Sequence, residues 1–465
     1  MSEIVWPGWI SPPSGDQGNV VVDRIFCRVA GIIAPSINFE VWMPLTTGQY
    51  VWNRRFNGVG NSGIAGSIRY ADMLAALGKG YATASTDTGH QGKPADGQWM
   101  RDHPELIPDF SYRAIHMMTV DAKAIIQAYY GQASQYSYFT GCSGGGQQGM
   151  MEAQRFPEDY DGIVAGAPAN YRTHSWPGEF WPAFVTHRSE ANTIPQAKLP
   201  LIHQAALAAC DANDGINDNL ISNPLTCNFN PAVLLCPGVD SPDCLTAGEI
   251  DSLVKIYSSV YDPTSGEQFW PGLEPGSELG WMGWGSLLPD PWVLSLAYFK
   301  YMIFPEYPDW QWQSFDFTDA QDFALLTDAD AYYGPILNAD NPNLSAFESL
   351  GGKLIIYHGW ADQQIAPRNS INYYNSVVSF MGNESTTQEF LRLFLVPGMM
   401  HCGRGTGPRI FNTLAAMRMW VEQGIAPAAM ASADQTRLLC PYPQSARYKG
   451  IGDVNNPNNY ECVNP

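Results

Sequence analysis

Three side chains spread along the chain are of the types needed to cleave an acyl bond: Ser143, Asp362 and His401. A serine hydroxyl is a poor nucleophile at neutral pH. An imidazole must take its proton, and a carboxylate must fix that imidazole's tautomer and stabilise its cation. Ser143 lies in Gly141-Cys142-Ser143-Gly144-Gly145, where glycines on either side relieve the collisions of a sharp bend. The competing readings are a plain Gly-rich turn at 141–145 and a loop-capping carboxylate at Asp362. His358 is the rival base, but it stands at a predicted strand end close to Asp362 and reads as structural. Cys142 precedes the serine and Cys402 follows the histidine. If hydroxyl and imidazole approach each other, the neighbouring sulfurs come within bonding range, with Cα atoms about 4.4–6.8 Å apart. Two buried free thiols are the alternative.

A second group of chemical interest is Cys210-Asp211-Ala212-Asn213-Asp214-Gly215-Ile216-Asn217-Asp218-Asn219-Leu220. Asp211, Asp214 and Asp218 repel one another if brought together without a cation. Oxygen donors, with backbone carbonyls making up the number, suit Ca²⁺ in a structural role. The glycine offset and the lack of a closing glutamate exclude an EF-hand. A solvated acidic loop is the bland alternative. A Cys210–Cys227 bond would close a loop of about 17 residues and contribute about 3 kcal/mol in the chain-entropy model.

The elements that must position these groups are legible in outline. Tyr136–Thr140 is rich in β-formers and Gly146–Gln154 reads as a helix, so Ser143 stands in a strand–turn–helix setting, a nucleophile elbow. The helix N-terminus below it favours developing negative charge. Strands are expected within 19–30, 38–44, 81–87, 162–168, 353–359 and 390–396. Helices are expected over 69–78, 112–130, from after Asp362 to about Phe380, and over 409–423. Strands alternating with helices predict a mostly parallel sheet. Asp362 and His401 each follow a strand by a few residues, on the sheet edge where the elbow opens. The order Ser…Asp…His is the one α/β-hydrolases use, and that α/β fold is the expected class. The Gly-rich stretch 58–66 reads as the loop that, with the N–H of Gly144, forms an oxyanion hole; a simple turn is the alternative.

From about Asn170 to Asn343 regular alternation stops, while proline, four cysteines and Trp176, Trp181, Trp270, Trp281, Trp284, Trp292, Trp310 and Trp312 accumulate. This predicts a lid or substrate-binding insertion at 170–345 within a catalytic domain of 1–169 and 346–465. The tryptophans mostly serve the insertion's own core, and some suit an apolar cleft for aromatic substrates.

The formal charge of −20 over 465 residues argues against nucleic acid or anionic membrane as partners. No apolar run is long enough to span a membrane. Met1-Ser2-Glu3-Ile4-Val5-Trp6-Pro7 lacks the basic start and apolar run of a signal peptide. Nine cysteines without a C-x-x-C nevertheless predict disulfides and an oxidising, extracellular setting. Cys210 with Cys227, Cys236 with Cys244 and Cys440 with Cys462 are close pairs in polar loops, and Cys27 is left over. Two N-x-S sequons, at Asn343 and Asn383, are compatible with secretion.

The chain resembles the tannase/feruloyl esterase family over nearly its whole length. The residues that carry this are Gly60-Asn61-Ser62-Gly63, Ser85-Thr86-Asp87-Thr88-Gly89-His90, Gly141-Cys142-Ser143-Gly144-Gly145, Gln154-Arg155-Phe156-Pro157 through Ala165-Gly166-Ala167-Pro168, His358-Gly359-Trp360-Ala361-Asp362 and His401-Cys402. The resemblance implies a serine carboxylesterase with Ser143 as nucleophile, Asp362 as orienter, His401 as base, and bonded cysteines beside them. It also implies calcium held by Asp211, Asp214 and Asp218 with the carbonyls of Ile216 and Leu220. The expected substrates are esters of hydroxycinnamic acids, as in feruloylated plant cell wall polysaccharide; gallate esters and terephthalate monoesters are the alternatives. Ser62 stands where the family usually has glycine, so the second oxyanion donor is either Ser62 or Gly63. The readings from other classes are a calcium-stabilised protein that binds aromatic or glycan ligands without turnover, and a protease.

Overall fold

The computed structural model describes residues 1–11, 18–47, 51–281, 290–307, 309–433 and 436–464; Trp284 lies outside them. Among the described residues the main sheet has nine strands. They are β1 (Ser2–Val5), β2 (Phe26–Ile33), β3 (Ile37–Pro44), β4 (Arg55–Val59), β5 (Ala82–Thr86), β6 (Tyr136–Cys142), β7 (Gly162–Gly166), β8 (Lys353–Gly359) and β9 (Leu391–Val396). Their order across the sheet is β1-β2-β3-β5-β4-β6-β7-β8-β9. The first four in that order pair antiparallel, and β5, β4, β6, β7, β8 and β9 run parallel. This is the α/β-hydrolase architecture.

The parallel strands are near-continuous apolar runs because both faces are covered. Alternate residues go to opposite sides, as the two-residue period of a strand requires. Ile163, Leu354, Ile356, Leu391 and Leu393 join one core with Ile115, Met118 and Ile126 of α2 (Ala114–Tyr130), Met150 of α3 (Gly144–Arg155), and Ile371 and Val377 of α8 (Arg368–Met381). Val164, Ile355, Phe394 and Val396 join the other, under Met417 and Trp420 of α9 (Thr413–Gln423). Helix α1 (Tyr70–Leu77) covers the antiparallel side with Tyr70, Met73 and Leu77.

Two of the boundaries that differ from the sequence reading have a clear physical cause. Gly58 and Val59 belong to strand β4, not to the glycine-rich loop, which starts at Gly60. Gly58 is small because the Tyr160 hydroxyl occupies the space a Cβ would need, so packing and not a turn accounts for it. Helix α9 starts at Thr413, four residues later than expected, where the Asn412 side chain caps it by accepting from Ala415 N–H.

Residues 170–345 build a third core. Trp176, Phe180 and Phe184 of α4 (Arg172–His187), Ile202 of α5 (Leu199–Cys210), Leu253 and Ile256 of α6 (Ala247–Tyr257), and Phe323 and Leu326 of α7 (Ala320–Leu337) pack with Trp270, Trp281 and Trp312. Trp99, Phe110 and Ile365, from outside that range, join the same cluster.

Candidate active site

Strand register brings the site together. Cys142 pairs with Gly166, Gly166 with Tyr357, and Gly359 with Val396, so β6, β7, β8 and β9 end at one edge of the sheet. Ser143 is the next residue after β6, Asp362 comes three after β8, and His401 five after β9. The Asp and His loops are laced together: Trp360 N–H donates to Val396 O at 2.9 Å and Ala361 N–H to Met399 O at 3.0 Å.

Ser143 has φ +62° and ψ −119°, a conformation that costs a non-glycine residue free energy and raises the hydroxyl above the strand ends. The bend is held by Ser143 N–H donating to Gly166 O at 2.9 Å and Ala169 N–H donating to Ser143 O at 3.1 Å. Gly141 must be glycine, because a Cβ there would run into the Gly145 backbone.

His401 Nδ1 lies 2.8 Å from Asp362 Oδ2. That leaves Nε2 to face a hydroxyl. Asp362 is fully buried; its Oδ1 accepts N–H bonds from Gln364 at 2.9 Å and Ile365 at 3.0 Å. Burial acts to raise its pKa, but the His401 charge and hydrogen bonds from His358 and His401 outweigh burial and hold the carboxyl well below the usual range. His358 Nε2 reaches the same Oδ2 at 3.1 Å and Ile365 O at 2.9 Å, while its Nδ1 meets Ser370 Oγ at 2.8 Å. With both ring nitrogens engaged and no exposure, His358 buttresses the aspartate.

Cys142 and Cys402 are disulfide-bonded, with Cα atoms 5.9 Å apart across 260 residues of sequence. The bond ties the serine loop to the histidine loop. Among the described residues no hydrogen bond yet joins Ser143 Oγ to His401. In free serine hydrolases this contact is often long, and it tightens in the substrate complex.

The loop after β4 closes against the elbow. A Cβ on Gly60 would meet Gly145 Cα at 2.6 Å, and one on Gly144 would meet Gly63 O at 2.8 Å and Gly63 N at 3.3 Å. Gly63 has φ +56°. Among the described residues neither Gly63 N–H nor Gly144 N–H donates within the protein, so both are free to bind a developing oxyanion. Of the two expected donors, Gly63 is the one seated against Gly144; Ser62 is partly exposed beside it. Two buried ionisable side chains that sequence reasoning missed, Arg172 and Glu179 on α4, adjoin this site. The sequence carried little signal for them, because α4 also holds His174, His187, Thr173, Ser175 and Thr186.

The remaining cysteines pair as 210–227, 236–244 and 440–462, and Cys27 is free and buried. In the acidic loop Asp211 accepts from the N–H groups of Asp218 and Asn219, Asp214 from Ile216 N–H and Ser222 Oγ, and Asp218 from Leu220 N–H. Arg437 pairs with Asp218. Burial pushes Asp218 up to about 6 against the pull of Arg437, and Asp214 and Asp211 add to the rise. Burial likewise raises Asp214, with Asp211 contributing. Such mutual repulsion is what a bound cation relieves. Among the described residues the carbonyls of Ile216 and Leu220 accept no backbone hydrogen bond, which leaves them available as ligands. The donor set fits a hard cation. Among the described residues, the group of three histidine, cysteine or carboxylate ligand atoms that lie within 4.8 Å of one another is His116, Glu152 and Asp159, outside this loop.

The profile of the family described as tannase and feruloyl esterase matches residues 19–463. The chain is 37% identical to an uncharacterized esterase of Xanthomonas campestris, over 98% of this chain and 87% of that one. It is 33% identical to feruloyl esterase C of Talaromyces stipitatus, over 97% of this chain and 88% of that one. The crystal structure of feruloyl esterase B from Aspergillus oryzae superimposes with a TM-score of 0.90 at 30% identity, covering 100% of this chain and 96% of that one.

Proposed function

This chain belongs to the tannase and feruloyl esterase family and is a carboxylic ester hydrolase, and from that premise we propose that Ser143, His401 and Asp362 are its catalytic triad and that its substrates are esters of hydroxycinnamic acids. The observation that carries the triad is the 2.8 Å contact between His401 and Asp362, with the Cys142–Cys402 bond bringing Ser143 alongside.

In this mechanism Ser143 Oγ attacks the ester carbonyl while His401 Nε2 takes the hydroxyl proton. Asp362 Oδ2 holds Nδ1–H and stabilises the imidazolium. The carbonyl oxygen becomes negative against the N–H groups of Gly144 and Gly63, at the positive N-terminus of α3. Collapse expels the alcohol with the proton from His401 and leaves an acyl-enzyme. Water, deprotonated by His401, then releases the acid.

Preference for a hydroxycinnamate acyl group is supported by the relatives named feruloyl esterase. The test is the hydrolysis of methyl ferulate, methyl gallate and a terephthalate monoester side by side on purified protein. The expected order has methyl ferulate fastest. A higher kcat/KM for methyl gallate would make the protein a tannase by preference.

A structural calcium ion would be held by Asp211, Asp214 and Asp218 with the carbonyls of Ile216 and Leu220, and would neutralise the loop without entering the chemistry. Four disulfides favour an extracellular location, where such bonds persist. Recovery of the fully oxidised protein from culture supernatant is the expected result; recovery from the cytosol alone would contradict it.

A further inference from the structure

Arg172 is the first residue of α4 and is 1% exposed. Its guanidinium carbon lies 4.9 Å from the Phe110 ring centre and 5.4 Å from that of Trp176, so two aromatic rings fix it. One nitrogen reaches Gln147 Oε1 at 3.4 Å, a long hydrogen bond, and Nε has no partner. That same terminal nitrogen would lie 2.9 Å from a methyl group built on Gly144, on the side where Gly63 N is 3.3 Å away. The guanidinium thus stands beside the two residues whose N–H groups are assigned to the oxyanion.

This placement is costly as it stands. Gly144 opens α3 and Arg172 opens α4, so the positive ends of two helices meet a buried cation. Among the described residues Arg172 makes no ion pair; Glu179, two turns along α4, is the one acid that acts on it. Glu179 is itself buried, with Oε2 unpartnered. Burial and the Asp362 charge raise its pKa well above the ordinary value, against the pull of Arg172, which favours its neutral form. Burial lowers Arg172 to about 10, and the guanidinium remains cationic at neutral pH. Three positive elements therefore meet in a site where Glu179 is the one acid that acts on Arg172. Arg172 is buried and lies beside the Gly144 and Gly63 amides, so the anion it would serve is one that forms there during reaction.

We propose that Arg172 is a positioning residue of the oxyanion site, whose buried charge acts through Gly144 and Gly63 to favour the anionic tetrahedral intermediate over the neutral ester. The inference rests on the assignment of Ser143 as nucleophile. Its effect belongs to kcat, because an interaction that strengthens only as charge develops leaves ground-state binding alone. Removing one direct oxyanion donor costs about 10²–10³ in kcat, and a charge acting from beside the amides is expected to supply less, about 10- to 100-fold.

The test compares Arg172→Met and Arg172→Lys with wild type in methyl ferulate kinetics, thermal unfolding, and affinity for two probes. One is an arylboronic acid: Ser143 Oγ bonds to boron, which becomes anionic and tetrahedral, as His401 takes the proton. The other is ferulic amide, neutral and slow to react. Arg172→Met is expected to lower kcat and boronate affinity by the same 10- to 100-fold factor, with KM and amide affinity within about twofold of wild type. Arg172→Lys, which keeps the charge, is expected to stay within about tenfold in both, and it carries the test alone should the methionine variant not fold. The inference is overturned if boronate affinity is unchanged in Arg172→Met, if the amide is lost in parallel with kcat and Tm, or if a folded Arg172→Lys loses boronate binding by 100-fold or more. A wild-type protein that fails to bind boronate at all would instead overturn the assignment of Ser143.

Discussion

The strand-end edge and residues 170–345, the segment expected to form a lid, keep their shape by different means. At the edge, Ser143, Asp362 and His401 each hang a few residues off a parallel strand, and backbone register brings them together. In the lid no ladder of comparable length exists among the described residues: helices, short turns, an aromatic core, two internal disulfides and an acidic loop hold 170–345 in place. The difference teaches that the candidate triad is anchored where backbone pairing dictates position, while 170–345 depends on side chains and on whatever neutralises its buried charge. Variants can break or sharpen that contrast.

The largest effect is expected at the edge. Asp362→Asn should lower kcat on methyl ferulate by about 10⁴-fold through the wrong His401 tautomer, with little change in the fold. A loss of less than tenfold would mean that another group orients His401. Next come the bonds that tie loops. Replacing Cys142 and Cys402 by alanine together should cost about 5 kcal/mol in unfolding experiments, more than the short 210–227 loop because the bond spans 260 residues, and lower kcat as well, because it ties the serine loop to the histidine loop. Loss of Cys236–Cys244, a short loop within the lid, should leave kcat nearly unchanged.

Calcium tests the lid side of the contrast. Chelation should lower Tm by several degrees, with readdition of Ca²⁺ restoring it, and Asp214→Asn should abolish the response. A Tm indifferent to chelator would mean that Arg437 alone balances the loop. The smallest effect is expected at Glu422, far from either feature. Burial acts to raise its pKa, but hydrogen bonds from Arg55, Tyr138 and Arg418 prevail and bring it down from 4.5 to about 2. A depressed carboxylate stabilises the fold above its unfolded pKa and loses that contribution as pH falls through the folded one. Glu422→Gln should therefore cost about 2 kcal/mol at pH 7 and almost nothing near pH 2, as measured by denaturant unfolding across that range.

The edge was legible in the sequence because its signals are local. Val164 and Ile355 alternate with neighbours of opposite facing, the elbow glycines flank Ser143, and Asp362 and His401 follow their strands within a few residues. Gly58 misled because a glycine that makes room for Tyr160 looks like one that makes a turn. The close pairing of Gly63 with Gly144 and the placement of Arg172 beside them were hidden, since they depend on how α4 returns across the sheet edge. In the lid the cysteine pairs were readable from spacing, whereas the contribution of Trp99 and Phe110 to its core was not: both lie more than sixty positions before the insertion's tryptophan-rich middle.

The most direct measurement is covalent labelling by a serine-directed aryl phosphonate, read by mass spectrometry of the digested protein, alongside the activity of Ser143→Ala. One adduct on Ser143 and a loss of about 10⁶-fold in kcat on substitution are the expected results. An adduct on any other residue, or more than a tenth of the activity left in Ser143→Ala, would contradict the triad.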